Sequence, residues 1–89
     1  MADFLVELYV ARSNRRAVSR WPDRARVAAD ALSRSGTPVR FAGLIFVPDD
    51  ETCFLLYEAD SAGAVEEAAR RAGLSFERVA KAVASAVKD

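Results

Sequence analysis

The chain has 89 residues, of which 52% are hydrophobic and 29% are charged, and its formal net charge is zero. This composition excludes an intrinsically disordered chain, and the length predicts a single globular domain spanning residues 1–89. Much of the apolar fraction is alanine, which buries little area, so we expect a thin core of the kind that gains stability by oligomerisation.

Residues 3–11 predict the first strand, because their apolar side chains recur with a period of two. One face of this strand is wholly apolar and belongs to the core: Phe4, Val6, Leu8 and Val10. Leu5, Glu7 and Tyr9 form the other face. That second face is too apolar for open water and too polar for a deep interior.

The next element predicted is a helix, which follows a polar and basic connection at residues 12–20. It opens at Trp21-Pro22, because proline is tolerated in the first turn of a helix, and we expect Trp21 to anchor this start in the core. Gly36 supplies the C-terminal stop, and Pro38 prevents the helix from resuming.

Two strands joined by an acidic turn follow the first helix. The strands run from Val39 to Val47 and from Thr52 to Ala59, on either side of a predicted hairpin turn, Pro48-Asp49-Asp50-Glu51. The third strand is apolar on both faces, and the second is apolar over most of its length. A pair of such strands indicates a sheet with both faces covered.

The second helix has the clearest signals at its two ends. Asp60 or Ser61 caps its start, and Gly73 matches a left-handed C-terminal cap. Between them, two glutamates precede two arginines by four residues and predict ion pairs along the helix: Glu66, Glu67, Arg70 and Arg71.

The last segment fits two descriptions. Phe76, Val79, Ala80, Val83 and Val87 have helical spacing, whereas residues 79–83 alternate as an edge strand would. We predict a strand at about 78–84, because a half-domain that ended in a helix would leave the sheet incomplete.

The resulting order predicts an α+β fold, a ferredoxin-like β-α-β-β-α-β sandwich with a four-stranded antiparallel sheet and two helices on one face. Two short helices cover only one face of such a sheet. We therefore expect the other face to be covered by another copy of the chain, in a homodimer or a larger homo-oligomer.

The chain lacks the residues that several classes of chemistry require. It has no histidine, which removes the usual general base near neutral pH and the commonest ligand of transition metals. A lone cysteine excludes a structural zinc site by ligand count, and no glycine-rich phosphate loop is present. The third strand also lacks the glycine-aromatic signature of RNA-recognition domains. We predict no cofactor and no nucleic-acid partner.

Cys53 is the single cysteine, so no intramolecular disulfide forms. A secreted domain of this size would normally carry disulfides, and no leader or apolar run of membrane-spanning length is present. We expect a cytoplasmic protein without membrane attachment. Within its apolar strand, Cys53 is more typical of a buried inert thiol than of a reactive one.

One set of polar residues predicts a ligand-binding site on the sheet: Glu7, Tyr9, Arg40, Tyr57 and Glu58. Glu7 and Tyr9 share the face opposite the core, and Tyr57 joins them if the strand register allows. A tyrosine and a carboxylate in a partly enclosed pocket can donate, accept or shuttle a proton. The alternative is a polar patch within a dimer interface.

Two clusters of charged residues could bind ligands, but each is more simply interpreted as solvent-exposed surface. The acidic turn at residues 49–51 could hold calcium, but such residues are also typical of hairpin tips. Six arginines around the first helix could bind phosphates or nucleic acid: Arg12, Arg15, Arg16, Arg20, Arg24 and Arg26. They contribute to an asymmetry of charge, since residues 1–40 carry eight arginines against four acids, and residues 41–89 carry five basic groups against nine acidic ones.

The hairpin string Phe46-Val-Pro-Asp-Asp-Glu-Thr-Cys-Phe-Leu-Leu-Tyr-Glu-Ala59, with the alanine-arginine helix that ends at Gly73-Leu74, resembles the small bacterial nickel-binding-protein-like domains of unknown function. The resemblance runs from about Val39 to Val83. It implies a self-associating ferredoxin-like fold whose members bind nickel largely through histidine. The corresponding stretch here is Ala42-Gly43-Leu44, so the resemblance implies the fold and a metal site that has been lost.

Two function hypotheses from different classes follow. The first is a small self-associating ligand-binding or accessory domain without catalytic activity. The second is a small dimeric α+β-barrel enzyme of the isomerase, cyclase or cofactor-free oxygenase type, with Glu7, Tyr9 or Tyr57 as acid or base; it depends on an analogy of fold.

Overall fold

The computed structural model describes residues 1–83 of the chain. In chain order the elements are β1 (Ala2–Tyr9), α1 (Arg15–Val18), α2 (Trp21–Arg34), β2 (Val39–Val47), β3 (Thr52–Ala59), α3 (Ala62–Arg71) and β4 (Arg78–Ala82). Short 3-10 turns at Arg12–Asn14 and Pro48–Asp50 precede α1 and β3.

The four strands form one antiparallel sheet in the order β2-β3-β1-β4. This order, with α2 and α3 on one face, is that of a ferredoxin-like sandwich and confirms the predicted fold class. β1 lies at the centre, where Val6 pairs with Leu55 of β3 and Val79 of β4. Alternate side chains of each strand therefore point either to the helices, on the inner face, or away from them, on the outer face.

The core lies between the inner face and the two long helices. Val6, Leu8, Leu55 and Val65 are at most 2% exposed. The helices contribute mostly small side chains that are fully buried: Ala25, Ala29, Ala68 and Ala69. Because alanine projects little from the helix, this core is shallow and depends on close approach of the helices to the sheet.

The ends of the helices follow the local signals in the sequence. Pro22 lies in the first turn of α2, and Trp21 is partly buried against the core, as predicted. Ser61 is the cap of α3, since its Oγ accepts a hydrogen bond of 3.2 Å from the amide of Ala64. Gly36 and Gly73 take φ values of +106° and +77° at the helix ends, a conformation that glycine adopts without steric cost.

Two local features differ from the expectation. The polar connection contains α1 and the turn before it, and the single buried side chain of these two elements, Val18, attaches α1 to the core. β2 also has an irregular register between Phe41 and Gly43, which a β-bulge produces and which the alternation of side chains does not reveal.

The final segment is a strand over Arg78–Ala82, as predicted. Val87, which the helical alternative required, lies outside the described residues. None of the helices within residues 1–83 has the length and apolar character needed to cross a membrane.

Candidate functional site on the outer face of the sheet

The centre of the outer face is apolar. Leu5 of β1 pairs with Leu56 of β3, and Ile45 of β2 pairs with Phe54 of β3. Leu5, Phe54 and Leu56 are half-buried, and Ile45 is 53% exposed. No helix of residues 1–83 covers this face, so among these residues the strands themselves provide the partial shielding.

Two ion pairs lie at diagonally opposite corners of the same face. Arg40 of β2 pairs with Glu58 of β3 at one end of the sheet. Arg78 of β4 pairs with Glu7 of β1 towards the other end, with Nε and Oε1 separated by 2.8 Å. Each carboxylate is partly shielded by its arginine, so the two corners carry little net charge.

An open depression of about 430 Å³ lies at the corner formed by Arg40 and Glu58. Its walls are mainly apolar and include Leu5, Ile45 and Leu56. Asp3 lies beside it and pairs with no basic side chain of residues 1–83. The depression combines an apolar floor with a few polar groups, which is the usual chemistry of a small-molecule site.

Tyr9 lies at the other end of the face and is 61% exposed. Its hydroxyl donates a long hydrogen bond of 3.4 Å to the Oε2 of Glu51, which also accepts the amide of Arg12 at 3.0 Å. Glu51 has a φ of +50° at the end of the acidic turn. Glu51 therefore links the acidic turn by hydrogen bonds to the end of β1 and to the segment that follows it.

Tyr57 does not lie on this face, so its expected placement there is wrong. The registers pair it with Phe4 and Phe41, and it is 1% exposed within the core. Its ring meets that of Phe41 edge to face at 5.5 Å, and burial raises the pKa of its hydroxyl to about 12. That hydroxyl makes no hydrogen bond to any atom of residues 1–83.

The structure thus brings four of the five predicted site residues to one face: Glu7, Tyr9, Arg40 and Glu58. It separates Tyr57 from Glu7 by the thickness of the sheet, so these two residues cannot share a proton in one pocket. Sequence reasoning missed Arg78 as the partner of Glu7. The register of the short edge strand β4 decides that contact, and local patterns do not reveal it.

A metal centre has few donors to use. The chain has no histidine, and residues 1–83 contain no group of three aspartate, glutamate or cysteine side chains placed to hold an ion. Cys53 is fully buried in the core, where desolvation raises the pKa of its thiol to about 11. A thiol of this kind stays protonated near neutral pH and does not ligate metal.

The predicted arginine cluster is exposed and lies on and around α1 and α2, with Arg12 next to Glu51 at one end of the outer face. Arg26 pairs with Asp23 at 3.1 Å, and Arg12 donates to the carbonyl oxygen of Asp49 at 3.3 Å. These contacts account for part of its charge within the subunit. Trp21 is the one aromatic residue between the arginines in the sequence, and it is partly buried against the core, so it does not form a base-stacking surface with them.

Comparisons with known proteins agree with this architecture. The crystal structure of SCO4226 from Streptomyces coelicolor A3(2) is similar with a TM-score of 0.70 and 23% sequence identity, over 96% of this chain and 100% of that one. No curated protein matches the sequence. The model of the family described as "Nickel responsive protein SCO4226-like" matches residues 9–81. Because that match spans most of the chain and the fold agrees, this protein belongs to the SCO4226-like family of nickel-responsive proteins.

Proposed function

We propose that this protein is a self-associating binding or accessory domain without catalytic activity, in which two copies cover each other's outer sheet face. The observation that carries the proposal is the apolar centre of that face. Four large side chains provide it: Leu5, Ile45, Phe54 and Leu56. The helices that could shield them lie on the opposite side of the sheet.

The charges of the outer face suit a second copy of the same chain. The ion pairs at the two corners are internally compensated, so an approaching identical face meets no large field of like charge. In a twofold interface the same patch faces itself, and a face with an apolar centre and polar corners is self-complementary in this sense.

The available area predicts a reversible dimer. Strands about 4.8 Å apart with a rise of about 3.4 Å per residue give roughly 400–500 Å² per copy for a sheet of this size. Specific interfaces bury about 800 Å² per partner, and weak, transient ones bury less than about 1,200 Å² in total. We therefore expect dissociation in the micromolar range.

Packing two outer faces together would turn the depression beside Arg40 and Glu58 into an enclosed cavity. We propose that this cavity takes a small-molecule ligand, with Glu7 and Tyr9 towards the other end of the interface. The single free cysteine supports a reducing, cytoplasmic setting for this role. The enzyme alternative loses Tyr57, which lies in the core, and keeps only Glu7 and Tyr9 on the outer face as its acid or base.

The nickel response of the family does not extend to this chain through the residues that the structure describes. Nickel sites in proteins use imidazole, thiolate or clustered oxygen ligands, and these donors are missing or buried here. A calorimetric titration of the full chain with Ni²⁺ should show no stoichiometric site. A tight equimolar site would contradict the loss of the metal.

Sedimentation velocity tests the proposed association. The wild-type chain should sediment as a dimer at high micromolar concentration, and Ile45→Asp should make it monomeric. Val27→Asp is the matched control, because Val27 is comparably exposed, at 61% against 53%, but lies on α2, away from the sheet. A well-folded wild-type monomer at every concentration, or equal effects of the two variants, would overturn the proposal.

A further inference from the structure

A second depression lies on the helical side of the molecule, between residues 23–31 of α2 and the end of α3. It has a volume of about 550 Å³, within the range of about 300 to 1,000 Å³ that is typical of small-molecule sites. Ala28 and Ala72 form a buried apolar floor, and Val27 and Ala31 rise beside it. Val27 is 61% exposed and extends the apolar surface of the depression.

Arg24 lies at one end of this groove, against Gly73. A side chain at position 73 would collide with the Nη2 atom of Arg24, so glycine at this position leaves room for the guanidinium as well as permitting the φ of +77°. The guanidinium therefore packs against the backbone that ends α3, at the edge of the apolar floor.

The charge of Arg24 is not compensated within the described part of the chain. No carboxylate of residues 1–83 lies within ion-pair distance of it. The other charged side chains that line the groove do have partners, since Asp23 pairs with Arg26 and Arg71 pairs with Glu67, each at 3.1 Å. The groove thus carries one residual positive charge beside an apolar surface.

We infer that this groove binds a small apolar carboxylate of the medium-chain fatty-acid class. The carboxylate would pair with Arg24, whose planar guanidinium suits two parallel hydrogen bonds to a carboxylate. The hydrocarbon tail would lie over Ala28 and along Val27 and Ala31. This site is independent of the outer sheet face.

A purely structural role for Arg24 makes a different prediction. The guanidinium lies against Gly73, just past the C-terminal end of α3, where a positive charge stabilises the helix by its interaction with the dipole. If that were its whole role, Arg24→Gln would lower the melting temperature slightly, and apolar anions would not bind in the groove.

The test is an NMR titration of the isotopically labelled full chain with decanoate, below its micelle concentration and at pH 7.5. We expect shifts of the amide signals of Val27, Ala31 and Gly73. Arg24→Gln should weaken binding by roughly tenfold or more, because a charge-assisted hydrogen bond is lost. Arg34→Gln, in the last turn of the same helix, is the matched control and should leave binding unchanged. Val27→Glu, at an exposed position, should also weaken it by repulsion.

Decyltrimethylammonium, which has the same tail and the opposite charge, separates charge recognition from simple apolar contact and should bind far more weakly than decanoate. The inference is overturned if decanoate does not bind, if it shifts signals of the sheet face instead, if the cationic analogue binds equally, or if Arg24→Gln and Arg34→Gln behave alike. Failure of self-association leaves this test intact, because α2 and α3 belong to a single subunit.

Discussion

The two faces of the sheet are built from the same strands but differ in how far their side chains are buried. Leu55 and Leu56 are neighbours in β3, yet Leu55 is fully buried beneath the helices and Leu56 is half-buried on the outer face. The inner face holds Cys53 and Tyr57, and the Tyr57 hydroxyl has no hydrogen-bond partner within residues 1–83, whereas the outer face places ion pairs beside its apolar centre.

This difference separates the contacts that stabilise a single subunit from those that could take part in the proposed association. The inner face is an ordinary core and contributes to the stability of a single chain. The outer face has a mixed composition, with polar groups where a subunit interface has its rim and apolar groups where it has its centre. Mutations on the inner face should therefore act at any protein concentration, and those on the outer face should act through association.

The largest effect is expected from truncation of neighbouring leucines. Leu55→Ala should lower the free energy of unfolding by about 2–5 kcal/mol, because it removes fully buried methyl groups and leaves a cavity. Leu56→Ala should cost less than about 1.5 kcal/mol in dilute solution, since its side chain is only half-buried. Urea denaturation followed by circular dichroism measures both changes.

The same pair also tests association. Because a dimer is stabilised by mass action, the cost of Leu56→Ala should rise with protein concentration, and that of Leu55→Ala should rise much less. Equal costs for the two variants at low concentration would show that the faces are not distinct in a single subunit.

Alkaline pH should reveal the buried groups of the inner face. Burial raises the pKa of Cys53 from 9.0 to about 11. Below pH 9 the thiol is protonated in both the folded and the unfolded chain, so its full contribution to stability is present. Between pH 9 and 11 only the unfolded chain loses the proton, and the free energy of unfolding should fall by up to about 1.4 kcal/mol per pH unit.

Cys53→Ala provides the control. Between pH 9 and 10 it should remove the part of the pH dependence of the free energy of unfolding that is due to the thiol, even if the substitution itself changes that free energy. The pKa of Tyr57, raised from 10.0 to about 12, should continue the loss at higher pH in both proteins. Identical slopes for wild type and variant would contradict the burial of Cys53. The folded thiol should also react very slowly with thiol reagents at pH 8.

A smaller effect is expected from the two tyrosines. Tyr57→Phe should raise the free energy of unfolding by about 1 kcal/mol, because it removes a buried hydroxyl that has no partner among residues 1–83. Tyr9→Phe, on the exposed outer face, removes only a long hydrogen bond to Glu51 and should change stability by less than about 0.5 kcal/mol. Destabilisation by Tyr57→Phe would show that the hydroxyl has a partner after all.

The smallest effect is expected at the polar corners. Arg78→Gln breaks the pair with Glu7, whose side chains are 70% and 32% exposed, and should cost about 0–1 kcal/mol in a dilute monomer. Its effect on the dimer constant should be larger, because it leaves Glu7 uncompensated near the interface. Sedimentation of the variant beside Lys81→Gln, a charge change on the inner-face register of the same strand, measures the difference.

Much of the fold could be predicted because its local signals are strong and agree with one another. The period of two in β1 separates Val6 from Glu7 without reference to any other element, and Ser61 and Gly73 mark the ends of α3. The strand at Arg78–Ala82 was predicted from topology against its helical spacing, which shows that tertiary pairing can override a local pattern.

The site was predicted less completely because it depends on register. Glu7, Tyr9 and Glu58 could be placed on one face from alternation alone, but Tyr57 required the pairing with Phe4, which puts it in the core. The irregularity between Phe41 and Gly43 also shifts the faces of β2 in a way that the sequence pattern does not indicate. The groove beside Arg24 brings together residues of two helices and has no signature in either helix alone.

Association of two copies through the outer sheet face is tested most directly by an isotope-filtered NOE experiment. The sample is a mixture of labelled and unlabelled wild-type chains at high micromolar concentration. It detects only contacts between copies. We expect intermolecular signals from the side chains at the centre of the outer face, led by Leu5, Ile45 and Phe54. Intermolecular signals confined to α2 and α3, or none from a folded chain, would contradict it.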